Sequence, residues 1–472
     1  MNEKQFYIGG KSTSSSETAV IKNPYTNSEI AHIYLAQKEH VEKAILTAQE
    51  AFQVTSQYSS FERSVILHSI ASQLKQRKEE FAQLITAEAG KPITFSHTEV
   101  DRAVSTFEIA SEEAKRINGE ALSLDVTAPT KGKQGIVNRF PIGIIACISP
   151  FNFPLNLVAH KLAPAIASGN SFILKPPPQA PLTSLLLGEV LLDSGLEKKT
   201  INIIPTTNEN AELLVTDERI AMLSFTGSAK VGWMLKQKAG KKKIVLELGG
   251  NAGVIIDETA DISHAVSRCV LGGFGYAGQV CIKVQKVFVH ESLYSEFEKE
   301  FLHAVSKVVV GNPANERTIV GPMISEHEAK RVESWVNEAA EKGATVLIGG
   351  KRNGIFYEPT VLIDVKPSMK VCSEEIFGPV VTLHKFSSIE MAVEEVNESK
   401  YGLQAGIFSN DFKNIQYVYK HLNVGGIIVN DYPTFRVDSM PYGGVKDSGF
   451  GREGIKYAIQ EMTEAKLMVL NM

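Results

Sequence analysis

Cysteine is scarce in this sequence. Four are present in 472 residues (Cys147, Cys269, Cys281 and Cys372), and none falls in a Cys-x-x-Cys pair or a metal-ligand spacing. No disulfide framework and no metal site are expected, and a reducing, cytoplasmic setting fits better. A basic stripe is also missing. The formal net charge is −4, which points away from nucleic acid as a partner. Long apolar runs are absent too: residues 142–148 fall far short of the ~20 needed to span a membrane. Residues 1–16 are polar and lack the apolar centre of a secretion signal. There are no internal repeats and no low-complexity tracts, and the turn at 225–232, with Gly227 and Gly232 five apart, is not a Gly-x-Gly-x-x-Gly fingerprint.

What is present is an ordinary globular composition, 43% hydrophobic and 22% charged, in a chain too long for one compact core. Short strand-like pieces over 5–35 are broken by Gly9-Gly10 and Asn23-Pro24. Helical spacing follows over 37–53, 61–76, 78–88 and 97–115, with Gly90-Lys91-Pro92 as a stop signal. Residues 119–137 read as extended. Strands at 142–149, 172–175, 201–204, 222–225 and 244–248 then alternate with helices at 156–168, 182–194, 211–216 and 230–238. A second series follows Asn251, with strands at 253–256, 287–290, 345–348, 380–386, 405–409 and 427–430. Helices at 293–308 and 326–342 lie among them. This alternation predicts two α/β domains with mainly parallel sheets and a boundary near 250.

Five stretches carry residues suited to chemistry. Gly278-Gln279-Val280-Cys281 follows the apolar, glycine-rich run 271–277. A thiol there looks placed for use, because small residues would let a bound molecule approach the backbone. Taken alone, a buried structural cysteine is the commoner reading. Ser149-Pro150-Phe151-Asn152-Phe153-Pro154 ends a strand, and the Asn152 amide could donate to a developing oxyanion. Thr226-Gly227-Ser228 opens a helix whose first N–H groups favour phosphate. Glu247 ends a strand beside Gly249-Gly250 and could serve as a general base. Glu374-Glu375 precedes a turn, and 440–449 is a glycine-rich loop. Each also has a plain structural reading as turn, cap or solvated strand end.

Together and in this order, these stretches resemble the aldehyde dehydrogenase superfamily. The likeness extends over essentially the whole chain, through Pro150-Phe151-Asn152-Phe153-Pro154, Lys175-Pro176, Phe225-Thr226-Gly227-Ser228, Glu247-Leu248-Gly249-Gly250, Gly278-Gln279-Val280-Cys281, Glu375-Ile376-Phe377-Gly378-Pro379 and the 440–454 loop. It implies NAD- or NADP-dependent oxidation of an aldehyde to a carboxylic acid. It further implies Cys281 as nucleophile, Asn152 as oxyanion donor and Glu247 as the base for thioester hydrolysis. Lys161 and Glu453 match positions proposed for proton relay, with a plain salt bridge as the alternative. Ser149, Phe151, Lys175, Thr226, Gly227, Ser228, Gly232, Glu375 and Phe377 are the implied cofactor contacts.

The implied architecture has two Rossmann-like parallel-sheet domains: a cofactor domain at 1–118 and 138–249, and a catalytic domain at 250–446. A small β oligomerisation element would comprise 119–137 and 455–472, making a homodimer or homotetramer. Where many NAD-using members carry a glutamate that binds the adenosine ribose, this chain has Pro178, which makes NADP use plausible. A coenzyme A-acylating relative and a catalytically silent one are the alternatives, both weakened by the presence of Cys281 and Glu247. A finer likeness, through Glu99-Val100-Asp101-Arg102 and Thr434-Phe435-Arg436-Val437-Asp438, is to the branch with lactaldehyde, phosphonoacetaldehyde and non-phosphorylating glyceraldehyde-3-phosphate dehydrogenases. It implies a small hydroxylated or anionic aldehyde, with Arg102 and Arg436 as candidate anion contacts.

Overall fold

In the computed structural model, which describes residues 3–471, two parallel sheets organise the chain. The first has five strands in the spatial order Gly449–Phe450, Lys243–Glu247, Ile220–Thr226, Ile144–Ile148, Ser171–Lys175. All neighbouring pairs are parallel except Gly449–Phe450, which adds antiparallel from late in the chain. Strand Ile144–Ile148 is apolar almost throughout and buried, as expected for a strand covered on both faces. Helices such as Lys38–Thr55, Ile93–Ala114, Asn156–Ala167 and Leu182–Leu192 supply the cover.

The second sheet has seven strands, in the order Thr345–Ile348, Thr360–Ile363, Val380–Phe386, Lys286–His290, Gly253–Ile256, Gln404–Phe408, Gly426–Val429. Only Thr345–Ile348 runs antiparallel to its neighbour. It packs its own apolar core, around Val254, Val287, Phe297, Phe301, Val332 and Val381. A smaller antiparallel sheet joins Glu120–Ser123, Lys133–Pro141 and Thr463–Asn471, with Thr463–Asn471 at its edge. Among the described residues, no helix is long and apolar enough to cross a membrane.

Four expected site residues fall at one place for a topological reason. Ser149, Lys175, Thr226 and Glu247 end, or directly follow, the four parallel strands of the first sheet. That carboxyl edge is where open α/β sheets bind ligands.

Several expectations need correction. Residues 201–204 form no strand: Ile203 makes only isolated bridges, to Tyr7 and Leu174, before Pro205 ends the run. Residues 455–461 do not belong to a β element. Ile455–Glu461 is a helix whose Ile455 and Ile459 join the first core, and the strand begins only at Thr463. The glycines before Cys281 leave no opening for a ligand. A β-carbon on Gly272 would meet Tyr432 at 2.7 Å, and one on Gly273 would meet Val381 at 2.6 Å, so these glycines permit close packing of helix Ile262–Phe274. Residues 1–2 and 472, the ends of the expected first domain and tail, lie outside the described residues.

Candidate active site

Cys281 sits just past a contorted turn. Tyr276, Ala277 and Gly278 all take the left-handed backbone conformation, with φ of 53°, 54° and 67°. Two of these are not glycine, so the turn holds strain that its surroundings must over-determine. They do so through specific bonds. The Tyr276 hydroxyl donates to the Ala89 carbonyl at 3.1 Å, and the Gln279 side chain accepts the Ile324 N–H at 2.8 Å. Glycine is required at 278, where a β-carbon would lie 2.3 Å from the Gly378 carbonyl. The result is a partly exposed thiol, unlike the buried Cys147, Cys269 and Cys372. Its walls are Tyr276, Val280, Ile282, Leu403, Tyr442 and Phe153.

Asn152 faces the same turn. Its amide nitrogen donates to the Gln279 carbonyl at 3.0 Å, which leaves one of its two N–H groups uncommitted and fixes the amide's direction. Its backbone carbonyl accepts from the buried Lys91 amine at 3.0 Å. Lys91 also pairs with Glu99 at 2.6 Å and lies 3.4 Å from the centre of the Phe153 ring. The other Glu99 oxygen accepts the Leu155 and Asn156 N–H groups at 2.9 and 3.1 Å, so it caps the helix Asn156–Ala167. A sealed ion pair therefore holds the loop that carries Asn152. Sequence reasoning passed over Lys91. The available signal was a lysine between a helix-ending glycine and a proline, with an acid eight residues on.

Two buried carboxylates act on each other in this site and differ sharply. Glu247 is 2% exposed, and its Oε1 has no hydrogen-bond partner among the described residues. Burial, aided by the Glu453 charge, pushes its carboxyl up to about 7. Glu453 is 3% exposed, but Lys161 reaches it at 3.3 Å and Arg436 at 3.1 Å. Burial acts to raise its carboxyl too, yet these cations override burial and hold it at about 2. Lys161 also donates to Thr226 at 2.7 Å and Ser224 at 3.2 Å. Arg436 stacks 3.7 Å from the centre of the Tyr442 ring, and the Tyr442 hydroxyl is 3.2 Å from the Cys281 sulfur. Burial and the Glu247 carboxylate push the thiol up, and Tyr442 opposes them.

Arg102 does not approach this cluster unaccompanied. It donates to Asp438 at 2.7 Å, and Asp438 also accepts from His160 at 2.7 Å and Asn156 at 3.3 Å. Burial would raise the Asp438 carboxyl, but the His160 hydrogen bond and the Arg102 charge hold it well below the usual range. The Arg102 side chain keeps 24% of its surface exposed, beside Phe153. Asp438 thus ties the loop carrying Arg436 and Tyr442 to helices Ile93–Ala114 and Asn156–Ala167, which cover the first sheet. The sequence offered Asp438 only as part of a likeness, with no role.

The aldehyde dehydrogenase family profile matches residues 11–468 of the chain. This chain belongs to the aldehyde dehydrogenase family. It is 44% identical over 469 residues to the 3-sulfolactaldehyde dehydrogenase of Priestia megaterium, covering 99% of this chain and 98% of that protein. Among solved structures, it is similar to aldehyde dehydrogenase 21 from Physcomitrella patens in complex with the reaction product succinate. That match has a TM-score of 0.98 at 46% identity and covers 100% of this chain and 98% of that one. It is also similar to the glyceraldehyde-3-phosphate dehydrogenase of Methanocaldococcus jannaschii complexed with NADP. There the TM-score is 0.93 at 38% identity, covering 97% of this chain and 100% of that one.

As a member of this family, the protein is an NAD(P)-dependent aldehyde dehydrogenase. Its own residues fit a dinucleotide. The Lys175 amine is buried at the sheet edge with no hydrogen bond or ion pair among the described residues, and burial lowers it to about 8. The Ser149 hydroxyl is buried without a partner. Glu375 is pushed up to about 8 by burial, and among the described residues its carboxyl accepts only the Gly250 N–H, at 3.2 Å. Groups of this kind can bond hydroxyls and phosphate oxygens. Ser228 caps helix Ala229–Lys238 without using its hydroxyl, so the helix's first N–H groups point outward unclaimed. Gly227 donates to the Glu247 carbonyl at 3.0 Å and fixes that turn against the end of the Lys243–Glu247 strand. Phe151 and Phe377 meet edge to face at 6.0 Å. Two of the expected contacts turn out to be engaged within the protein. The Thr226 hydroxyl is taken by Lys161, and Gly232 is small because a β-carbon there would meet Leu248 at 2.4 Å.

Proposed function

We propose that this aldehyde dehydrogenase oxidises a short aldehyde bearing an anionic or hydroxyl group, by way of a thiohemiacetal and then a thioester on Cys281. The supporting observation is the meeting of Cys281, Asn152 and Glu247, from three separated stretches, around one partly exposed thiol. In this reading the Cys281 thiolate adds to the carbonyl carbon. The oxyanion is held by the free N–H of Asn152 and the backbone N–H of Cys281. When bound, the nicotinamide supplies the acceptor for the hydride that leaves the thiohemiacetal carbon. Glu247 then takes a proton from water, the water oxygen bonds the thioester carbon, and the thiolate departs. Lys161 and Glu453, paired at 3.3 Å, hold charge behind this base; a carboxyl held at about 2 favours the salt-bridge reading of the pair over proton relay. Lys175 and Glu375 would hold the cofactor's ribose hydroxyls, and the Gly227-Ser228 turn its pyrophosphate.

The anionic substrate rests on charge and on relatives. The unpartnered Arg436 Nε is buried in the site, and the exposed part of Arg102 borders Phe153. Sulfolactaldehyde, succinate and glyceraldehyde-3-phosphate, named with the similar proteins, each carry an anionic group. Pro178 brings no carboxylate to repel a 2′-phosphate, so NADP is accepted. A second copy of the chain is the proposed partner for the edge strand Thr463–Asn471, where Leu467, Met468 and Val469 are about half exposed. The four free cysteines suit a cytoplasmic location.

The test compares kcat/KM for an anionic short aldehyde and a neutral one of equal length, with NAD and NADP, with and without coenzyme A. Wild type should prefer the anion, and Arg102→Ala or Arg436→Ala should cost about tenfold or more of that preference, the size of a charged hydrogen bond. A preference that is absent, or survives both substitutions, removes the substrate assignment. A strict coenzyme A requirement removes hydrolysis.

A further inference from the structure

Tyr442 is buried, 1% exposed, and its hydroxyl lies 3.2 Å from the Cys281 sulfur. While Cys281 is a thiol, the hydrogen can sit on either atom. Once the sulfur is a thiolate, only the phenol can donate. The contact therefore strengthens on ionisation, because a hydrogen bond to a charged acceptor is about twice as strong as a neutral one. The rest of the geometry favours that donor role. The Arg436 guanidinium lies against the Tyr442 ring at 3.7 Å, drawing on its π-electrons and making the O–H a better donor. Arg436 is itself fixed by Glu453, at 3.1 Å. The tyrosine backbone is locked as well: the Tyr442 N–H donates to the Glu453 carbonyl at 3.0 Å, and the Glu453 N–H returns to the Tyr442 carbonyl at 2.6 Å. The ring has little freedom to leave the sulfur.

These contacts answer a difficulty in the site. The thiol is only partly exposed and has the Glu247 carboxylate beside it, and both its burial and that charge disfavour the thiolate. Asn152 is aimed by Gln279, and Lys161 is held by Glu453, Thr226 and Ser224. Among the described side chains, the Tyr442 hydroxyl lies within hydrogen-bond distance of the sulfur, and the Glu247 carboxyl also faces the thiol.

We propose that the Tyr442 hydroxyl, braced by the Arg436 guanidinium, donates a hydrogen bond to the Cys281 thiolate and holds the sulfur for attack. This rests on Cys281 being the nucleophile. No bond to Tyr442 forms or breaks, so its proton stays on the phenol throughout.

The experiment measures the pH dependence of Cys281 alkylation by iodoacetamide in the full-length protein, with Cys281→Ser as the blank. Tyr442→Phe keeps the ring, the stack and the backbone bonds. It should move the alkylation midpoint up by about one pH unit, which is tenfold less thiolate at a fixed pH below it. The acid limb of kcat/KM should move with it. A variant that loses activity or melting temperature with the midpoint unmoved would show a purely structural role and overturn the proposal. If Tyr442→Phe does not fold, 3-fluorotyrosine at 442 keeps the shape and sharpens the donor. It should lower the midpoint, and no change there overturns the proposal equally. Failure of the underlying reading looks different: Cys281→Ser would turn over aldehyde, and alkylated enzyme would stay active.

Discussion

Glu247 and Glu453 occupy one site, are almost equally buried, and are driven in opposite directions. Burial acts on both to favour the neutral acid. Glu453 has two cations within 3.3 Å, whereas Glu247 has an unpartnered oxygen. Depth thus says little about what a buried carboxylate does, and partners say most. A carboxyl near 7 can take a proton from water and give it back near neutral pH. One near 2 remains a fixed negative charge, which here anchors Lys161 and Arg436 and, through Arg436, the Tyr442 ring.

The comparison breaks most visibly in stability. Glu453→Gln strips the counter-charge from two buried cations and should cost about 3–5 kcal/mol, the usual effect of removing one partner of a buried pair. Because its folded carboxyl is depressed, Glu453 contributes stability above the ordinary value of 4.5, and this is lost as pH falls toward about 2. Glu247 has the opposite sign. Its folded carboxyl is raised, so its ionisation opposes folding as pH rises from 4.5 through about 7. Glu247→Gln should therefore leave the melting temperature at pH 8 unchanged or higher. Urea unfolding of both variants checks this, and equal losses would erase the distinction.

A smaller effect should appear in the pH profile. Where thioester hydrolysis limits turnover, kcat in the wild type should rise about tenfold per pH unit below an inflection near 7, then level off. Glu453→Gln, where it folds, should move that inflection down, since the Glu453 charge helps raise Glu247. An inflection that stays in place in that variant would mean that the two carboxylates do not sense each other.

Much of this was legible in the sequence, for definite reasons. Strand and helix alternation from 142 onward carried the two sheets, since buried parallel strands are short, apolar and separated by helices. The residues at the strand ends followed with it, because topology alone brings Ser149, Lys175, Thr226 and Glu247 to one edge. What stayed hidden depended on contacts between distant segments. Residues 201–204 have strand-like composition but only bridge Tyr7 and Leu174. Residues 271–273 look like an opening and are instead close packing against Tyr432, Val284 and Val381. Arg102 reads as a free cation until Asp438 appears beside it, 336 positions later. Tyr442 was visible only as part of a glycine-rich loop, since nothing local tells that its hydroxyl meets a sulfur 161 residues away.

The central claim is that Cys281 carries the acyl group and Glu247 frees it. The most direct measurement mixes Glu247→Gln enzyme with aldehyde and cofactor, follows NAD(P)H in the first turnover, and weighs the intact protein. One equivalent of NAD(P)H should appear in a rapid burst, with slow turnover afterwards and an acyl mass that maps to Cys281. Cys281→Ser should show neither burst nor adduct. A burst without a Cys281 adduct, or undiminished steady turnover by either variant, would contradict it.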